Sequence, residues 1–425
     1  MKANYTYMKK LILLIVIILN VSLFISNGYG QWVLQNTGST TDFHSVKFIN
    51  KNTGWICGTG VIAKTTNAGV NWVQQTHPAT NKRLDCLSVV DSNTVYCVGM
   101  FETILKTTNG GTNWTAIRNG PYGTGSSYFT TFFINKNTGW ISGTGQKLWK
   151  TTNGGDSLVQ LFIADIVNSI YFKDSMTGLV CGDGGFLQRT TNGGLNWYTP
   201  NINLNYIGYT FHKLAIINNQ YCWVIGRFST PVYRSTDFGI NWDSIATVPG
   251  SYEIYSVRFS NANTGWCGGG GTPGGRMFRT INGGYNWTRM DNENNPGYVD
   301  DIYFNNDSIG WATGSNGMVL YTTNGGLSYV NQISTVTPES FVLHQNYPNP
   351  FNNTTNIMIE IKEKGFYKLE IYDITGKKVD NLLEGIKTPG TYQVNYDASK
   401  LASGIYFYKL LGSNFLQTKK FSLIK

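Results

Sequence analysis

Side chains able to do chemistry are sparse in this sequence, and their spacing narrows what they can do. Between Gln31 and Pro338 there are nine arginines but only three glutamates, Glu102, Glu253 and Glu293. Converging arginines can clamp a ligand carboxylate, and a tyrosine beside a glutamate can serve as a nucleophile. Arg83, Arg118, Arg227 and Arg276 are available for such a clamp, because Arg189, Arg234 and Arg279 stand at fixed places in a repeated phrase. Acid–base hydrolysis needs paired carboxylates. The loops offer Glu102 and Asp183, and Asp183 lies in the plain turn "GDGG". Four histidines without H-x-x-H spacing and six cysteines without C-x-x-C give no zinc site. Asn-rich turns such as Asn50–Gly54 lack the carboxylates of a calcium cage. No metal and no cofactor is expected. Recognition fits better: Tyr122, Tyr206 and Phe228 offer stacking faces, and with Arg83, Glu102, Arg118, Arg227 and Arg276 they form the candidate ligand-binding set.

The elements that would position these residues are written into a repeat. The phrase "KTTNGGTNW" recurs seven times with small changes, its Asn or Asp falling at Asn67, Asn109, Asn153, Asn192, Asp237, Asn282 and Asn324. The intervals are 42, 44, 39, 45, 45 and 42 residues. A period of this length marks four-stranded propeller blades. Each period divides alike: "FHSVKFIN", "WICG", "VIAKTT" and "NWVQQT" are short strands separated by Gly, Asn and Asp turns. Seven copies predict an all-β, seven-bladed propeller.

In the phrase, the short polar side chain accepts hydrogen bonds from turn backbone. The second glycine supplies a positive φ, and Trp72, Trp114, Trp197, Trp242 and Trp287 bury large rings between sheets. Leu158 and Tyr329 replace the tryptophan in the third and seventh copies, so those blades are expected to pack less tightly. "STDFGINW" is the fullest copy, and the pattern resembles the Asp-box of sialidases, sortilin-type receptors and related propellers. That resemblance implies a folding device at the periphery, on the face opposite most ligand sites. The larger unit, from "TGW" to "TTNGGxNW" over about Gln31 to Ile333, resembles the repeat of the photosystem II assembly and stability factor family. Nothing in the sequence ties the chain to a thylakoid.

Both ends read as addresses. Lys2, Lys9 and Lys10 precede "LILLIVIILNVSLFIS", with Gly28 and Gly30 before Gln31, which predicts a secretory signal peptide over residues 1–30. No later segment has a membrane-spanning apolar length. After a linker (334–343), residues 344–425 alternate in the manner of a small Ig-like β-sandwich. The motifs Asn346-Tyr347-Pro348-Asn349-Pro350-Phe351, Asp373 to Lys377 with Gly376, Ser403-Gly404-Ile405-Tyr406 and Lys419-Lys420 resemble the type A C-terminal sorting domain of the type IX secretion system. Asn353 stands where that family often has a second proline. The resemblance implies a partner, the type IX machinery, and a destination at or beyond the cell surface.

The formal charge of +9 is concentrated at the ends: residues 31–338 carry only +3. No basic stripe suits nucleic acid. The reading is therefore an exported, non-enzymatic propeller (31–333) that binds protein or glycan, with a secreted glycoside hydrolase of sialidase-like or xyloglucanase-like type as the alternative. Two structural expectations accompany it. Cys86 and Cys97 form the candidate disulfide, the remaining cysteines lying in second strands of different blades, too far apart to bridge. And "QWVLQ" (Gln31–Gln35) matches the fourth-strand phrase "NWVQQ", which predicts that it completes blade seven with Trp32 in the place of a box tryptophan. The competing outcome is that "LSYVNQI" holds that position.

Overall fold

The computed structural model describes residues 32–425, apart from 124, 204–208, 228–229, 251–252, 272–274, 291–296, 327–329, 399–400 and 413. The described residues are almost wholly strand and turn; the one helical segment among them is the 3-10 turn Asp183–Gly185. Two compact units emerge, Gly30–Leu327 and one containing Ser328–Lys425.

The first unit is a ring of seven antiparallel sheets. Blade one, for example, orders Phe43–Phe48, Gly54–Gly58, Val61–Thr65 and Val73–Gln74 from the centre outward. The seven innermost strands each touch the next, and Phe43–Phe48 of blade one touches Val299–Phe304 of blade seven, so the ring closes. The alternating strand pattern explains the layers: successive side chains face opposite neighbours. Aromatic rings then fasten blade to blade. Phe48 stacks on Trp311, Phe133 on Tyr96, Phe172 on Trp140, Phe259 on Trp223 and Phe304 on Trp266, at 3.5–3.7 Å between centroids. Each such pair adds about 0.5–1.5 kcal/mol beyond its buried area.

Blade seven closes as the sequence predicts. Val33–Leu34 pairs with Tyr321 and Leu320, and Gln35 N–H donates to the Val319 carbonyl at 2.8 Å. Trp32 is buried edge-on against Phe304 at 5.7 Å and 82°. The box tryptophans Trp72, Trp197 and Trp287 meet Phe48, Phe172 and Phe259 in the same way, at 6.0–6.1 Å and 77–81°. Trp32 thus fills a box-tryptophan place.

Three expectations need correction. Val330–Ser334 does not extend the propeller to residue 333; it pairs with Gly390–Asp397 in the second unit, because Val33–Leu34 already occupies blade seven's outer edge. Blade four supplies three strands and a single bridge, Arg189 to Tyr198, rather than four. Pro200 follows, without an N–H for a ladder, and Asn201–Ile202 then runs parallel to Asn241–Ala246 of blade five. Finally, Cys86 and Cys97 are not bonded, and all six cysteines are free and buried. A bulge at Asp85 shifts the register so that Cys86 faces Val98 and Cys97 faces Leu87. Nor are second-strand thiols uniformly remote: Cys57 and Cys97 share one buried cluster between blades one and two. Burial, then a hydrogen bond with Cys97, raises the Cys57 thiol pKa well above its usual value.

The second unit has two four-stranded antiparallel sheets. One orders Val330–Ser334, Gly390–Asp397, Thr354–Ile361 and Val342–Leu343; the other orders Lys378–Lys387, Gly365–Tyr372, Gly404–Gly412 and Phe415–Leu423. Ile357, Ile359, Leu369, Ile371, Val394, Tyr408 and Phe421 build the core they share.

Candidate functional site

The innermost strands share one irregularity. Each has a register shift near its start, at the second residue or, in Glu253–Phe259, the third, which leaves one residue per blade unpaired: His44, Asp85, Phe129, Asn168, His212, Tyr255 and Asp300. Bulges re-aim side chains. Opposite every bulge stands a glycine, namely Gly58, Gly99, Gly143, Gly182, Gly226, Gly269 or Gly314. A Cβ on any of these would collide with the carbonyl of the residue two before the bulge. The seven bulges ring one end of the central channel, the end that also carries the loops between second and third strands. Several join neighbouring blades: His44 Nδ1 meets Asp300 Oδ2 at 2.8 Å, Asn168 Nδ2 donates to the Phe211 carbonyl, and His212 Nδ1 to the Tyr255 carbonyl.

One position further along the strands lies a buried ionic cluster. Asp301, 1% exposed, accepts through Oδ2 from Lys47 Nζ (2.6 Å), Ser45 Oγ (3.2 Å) and Val46 N–H (3.2 Å), and through Oδ1 from Ser256 Oγ (2.9 Å). Lys213 Nζ stands 3.6 Å from Oδ1. Burial works to raise this carboxyl's pKa, but the Lys213 and Lys47 ammoniums hold it well below the usual carboxylate range. Sequence reasoning missed both the ring and the cluster. The available signal was an acid and a lysine at a strand position that elsewhere holds Ser, Cys or Thr.

The predicted ligand-binding residues separate into two groups. Arg83 and Arg227 reach the channel mouth. Arg83 Nε pairs with Asp85 Oδ1 at 2.7 Å, while the Asp85 side chain is 6% exposed and its Oδ2 is buried without a hydrogen-bond partner in the chain. Burial raises the Asp85 pKa, against the pull of Arg83 and His44. Arg227 Nη2 donates to His212 Nε2 at 3.3 Å and lies 4.9 Å from the Tyr255 ring. Burial, with Arg227 beside it, pushes the His212 pKa down to about 3, so this imidazole is neutral and both its nitrogens are engaged. The Tyr255 hydroxyl donates to Glu253, and burial together with that bond raises its pKa.

Glu102, Arg118 and Tyr122 assemble elsewhere, between blades two and three. Arg118 Nη1 donates to Tyr128 Oη at 3.1 Å and stands 3.9 Å from Glu102 Oε2, and the guanidinium covers the Trp149 ring at 4.3 Å. Tyr122 rests on Phe101 with centroids 4.8 Å apart. Arg276 is buried on Gly275–Thr280, opposite Gly269. Tyr206, Phe228 and Glu293 lie outside the described residues. Asp183 accepts from Asn168 at 2.8 Å. Among the described residues no three His, Cys, Asp or Glu side chains gather as a metal site, and no helix is long and apolar enough to cross a membrane.

The boxes sit at the other end of the strands and repeat one geometry. In blade one, Thr65 Oγ1 donates to Asn67 Oδ1 and accepts from Gly69 N–H, and Asn67 Oδ1 accepts from Asn71 N–H. The Thr or Ser to Asn or Asp bond recurs at Asn109, Asn153, Asn192, Asp237, Asn282 and Asn324. The boxes also accept from the preceding blade: Lys64 Nζ reaches the Gly110 carbonyl and Trp266 Nε1 that of Gly325. In the second unit, the buried Asn346 donates to Pro348 O and Thr355 Oγ1, and Asn349 Oδ1 accepts from Ser422 N–H. Phe351 packs on Phe421, and Asp373 Oδ1 caps the turn through Gly376. Lys420 stays exposed.

Comparison with known proteins agrees with this division. Residues 345–425 match the family described as secretion system C-terminal sorting domain, and residues 26–131 match photosynthesis system II assembly factor YCF48. No curated protein matches the sequence. Among solved structures, YCF48 bound to D1 peptide is 19% identical at a TM-score of 0.58, over 70% of this chain and 98% of that one. YCF48 from Cyanidioschyzon merolae is 18% identical at 0.55, over 69% and 98%. The Niastella koreensis GH74 enzyme is 12% identical at 0.56, over 91% and 74%. At these identities the likeness is one of fold. The sorting domain marks the protein for export by the type IX system to the cell surface or beyond. The chain is thus a β-propeller whose residues 26–131 match the YCF48 family, followed by a C-terminal sorting domain.

Proposed function

We propose that the exported propeller is a non-catalytic binding protein whose ligand, a protein or a glycan, meets the end of the ring that carries the bulges. One observation carries this reading: the acids at that end are engaged within the chain, and Asp85 Oδ2, which has no partner there, is buried away from solvent. Asp85 is held by Arg83, Asp300 by His44, Glu102 by Arg118 and Glu253 by Tyr255. A hydrolase would need a carboxylate left to move a proton and a second placed to meet it. The neutral, doubly engaged His212 is a poor substitute. A YCF48 structure holds a peptide, which supports a peptide as one ligand class.

The alternative has its own favouring feature. Tyr255 beside Glu253, with Arg83 and Arg227 near, is the pairing a sialidase-like hydrolase would use. The raised pKa of that phenol weighs against it as a nucleophile. Glycan and peptide arrays probed with the secreted protein, alongside a panel of chromogenic glycosides that includes sialosides, separate the two readings. Saturable binding without turnover is expected; turnover that Tyr255→Phe abolishes would establish the hydrolase instead.

A further inference from the structure

Blade two stands apart at the hairpin between second and third strands. In blade seven that hairpin turns through Asn316 and Gly317, and in blade three through Gly145 and Gln146, so at least one of the two left-handed positions is a glycine. In blade two the same turn uses Phe101 and Glu102, at φ 58° and 54°. Two large side chains held in a region that disfavours them point to a task for those side chains rather than for the turn.

The surroundings hold the pair in place. Glu102 N–H donates to Ser126 O at 2.8 Å, and a Cβ on Gly120 or Gly125 would press on Phe101 O or the Glu102 side chain. The loop they belong to is anchored behind: Asn119 Nδ2 donates to Pro78 O at 3.2 Å, and the buried Lys82 Nζ donates to Asn119 Oδ1 at 2.5 Å. On this base Tyr122 presents its ring to solvent, 68% exposed, with Phe101 behind it. Beside it the Arg118–Glu102 pair, each side chain about one-third exposed at 33% and 31%, offers donors and acceptors together.

We propose that this shelf of Phe101, Glu102, Arg118 and Tyr122 is a subsite for one ring of a neutral glycan, an inference that rests on the binding reading above. Sugar rings present C–H groups to an aromatic face, and their hydroxyls both donate and accept. Arg118 and Glu102 match that chemistry because their charges cancel while N–H and carboxylate sites remain in reach of solvent. An anionic sugar or a charged peptide side chain would find a partner of either sign already neutralised.

The test uses the full secreted chain and an array of neutral cello-, xylo-, manno- and galacto-oligosaccharides, with sialylated glycans and a peptide library beside them. The best neutral oligosaccharide is then titrated against variants. Tyr122→Ala should weaken it at least tenfold, Tyr122→Phe by no more than about threefold, and Leu195→Ala, on the box turn of blade four, not at all. A neutral glycan that binds equally well to Tyr122→Ala overturns the shelf and leaves the binding reading standing. Binding confined to peptides or sialylated glycans does the same. Turnover of any glycoside, or no binding to either array, overturns the binding reading and the shelf with it.

Discussion

The two ends of the propeller strands repeat different things, and their atoms display it. At the box end, seven turns repeat one set of hydrogen bonds almost atom for atom, Thr or Ser to Asn or Asp and back from glycine N–H. At the bulge end, seven turns repeat only the backbone: the glycine and the register shift persist while the side chain changes from His to Asp, Phe, Asn, His, Tyr and Asp. Where geometry and side chain are both held constant, the side chain is needed by the fold. Where the geometry is constant and the side chain varies, the fold is a mount for something else.

The largest effect expected comes from removing the second unit. Deletion of Ser328 to Lys425 should stop secretion in a host with the type IX machinery and leave a folded propeller in the periplasm, so that both ends can be compared without the tail. Normal amounts outside the cell would contradict the export assignment. Next is Asp301, one position beyond the bulge, where buried pairing with Lys47 and Lys213 rather than repetition ties the side chain to the fold. Asp301→Ala leaves Lys47 and Lys213 without their carboxylate and should cost about 3–5 kcal/mol in chemical unfolding. A loss below about 1 kcal/mol would remove the cluster from the stability of the ring. Its contribution is complete above the ordinary carboxylate range, near pH 4, and declines as pH falls through the depressed folded value.

Trp32→Ala tests the box end where the chain supplies a substitute. It should cost about 3 kcal/mol, as a large buried ring does, and deletion of residues 32–35 should cost at least as much. A thermal midpoint unmoved by either would mean that blade seven does not depend on its N-terminal strand. The smallest effect at neutral pH belongs to His212→Gln, expected within about 1 kcal/mol at pH 7.5. Wild-type stability should fall as pH drops from about 6.5 towards 3, because the unfolded imidazole takes a proton that the folded one refuses. The variant should lose that slope, and an unchanged slope would assign the acid sensitivity to other groups.

How much the sequence disclosed follows the same division. The boxes announce themselves because chemistry and spacing recur together, and so did the closure of blade seven, since "WVLQ" copies "WVQQ" down to Gln35 and Gln75. Those glutamines accept from Trp72 and Trp114 Nε1 at 3.2 and 3.0 Å. The shelf was partly legible: Glu102, Arg118 and Tyr122 were chosen for their types, while Phe101 was not, because nothing local marks a left-handed phenylalanine. The bulge ring stayed hidden since the seven bulged residues are unlike, and the glycine opposite each reads as an ordinary turn residue. The Cys86–Cys97 expectation failed for the same reason, as one unseen bulge turned the strand by a residue. The fate of Val330–Ser334 was illegible because strand alternation does not say which sheet will take the strand.

The pairing of Val33 with Tyr321 has a consequence for the order of events during export. Val33–Leu34 precedes all seven blades in the chain while its partner strand lies in the last of them, so the strand is made early and its mate late. Until blade seven arrives, Trp32 has no pocket and the outer edge of the last blade has no mate. Such a long-range contact can form only late. The propeller therefore matures as a latch rather than a zipper: six blades can stack as they emerge, but the circle stays open, and the chain stays threadable, until its two ends meet.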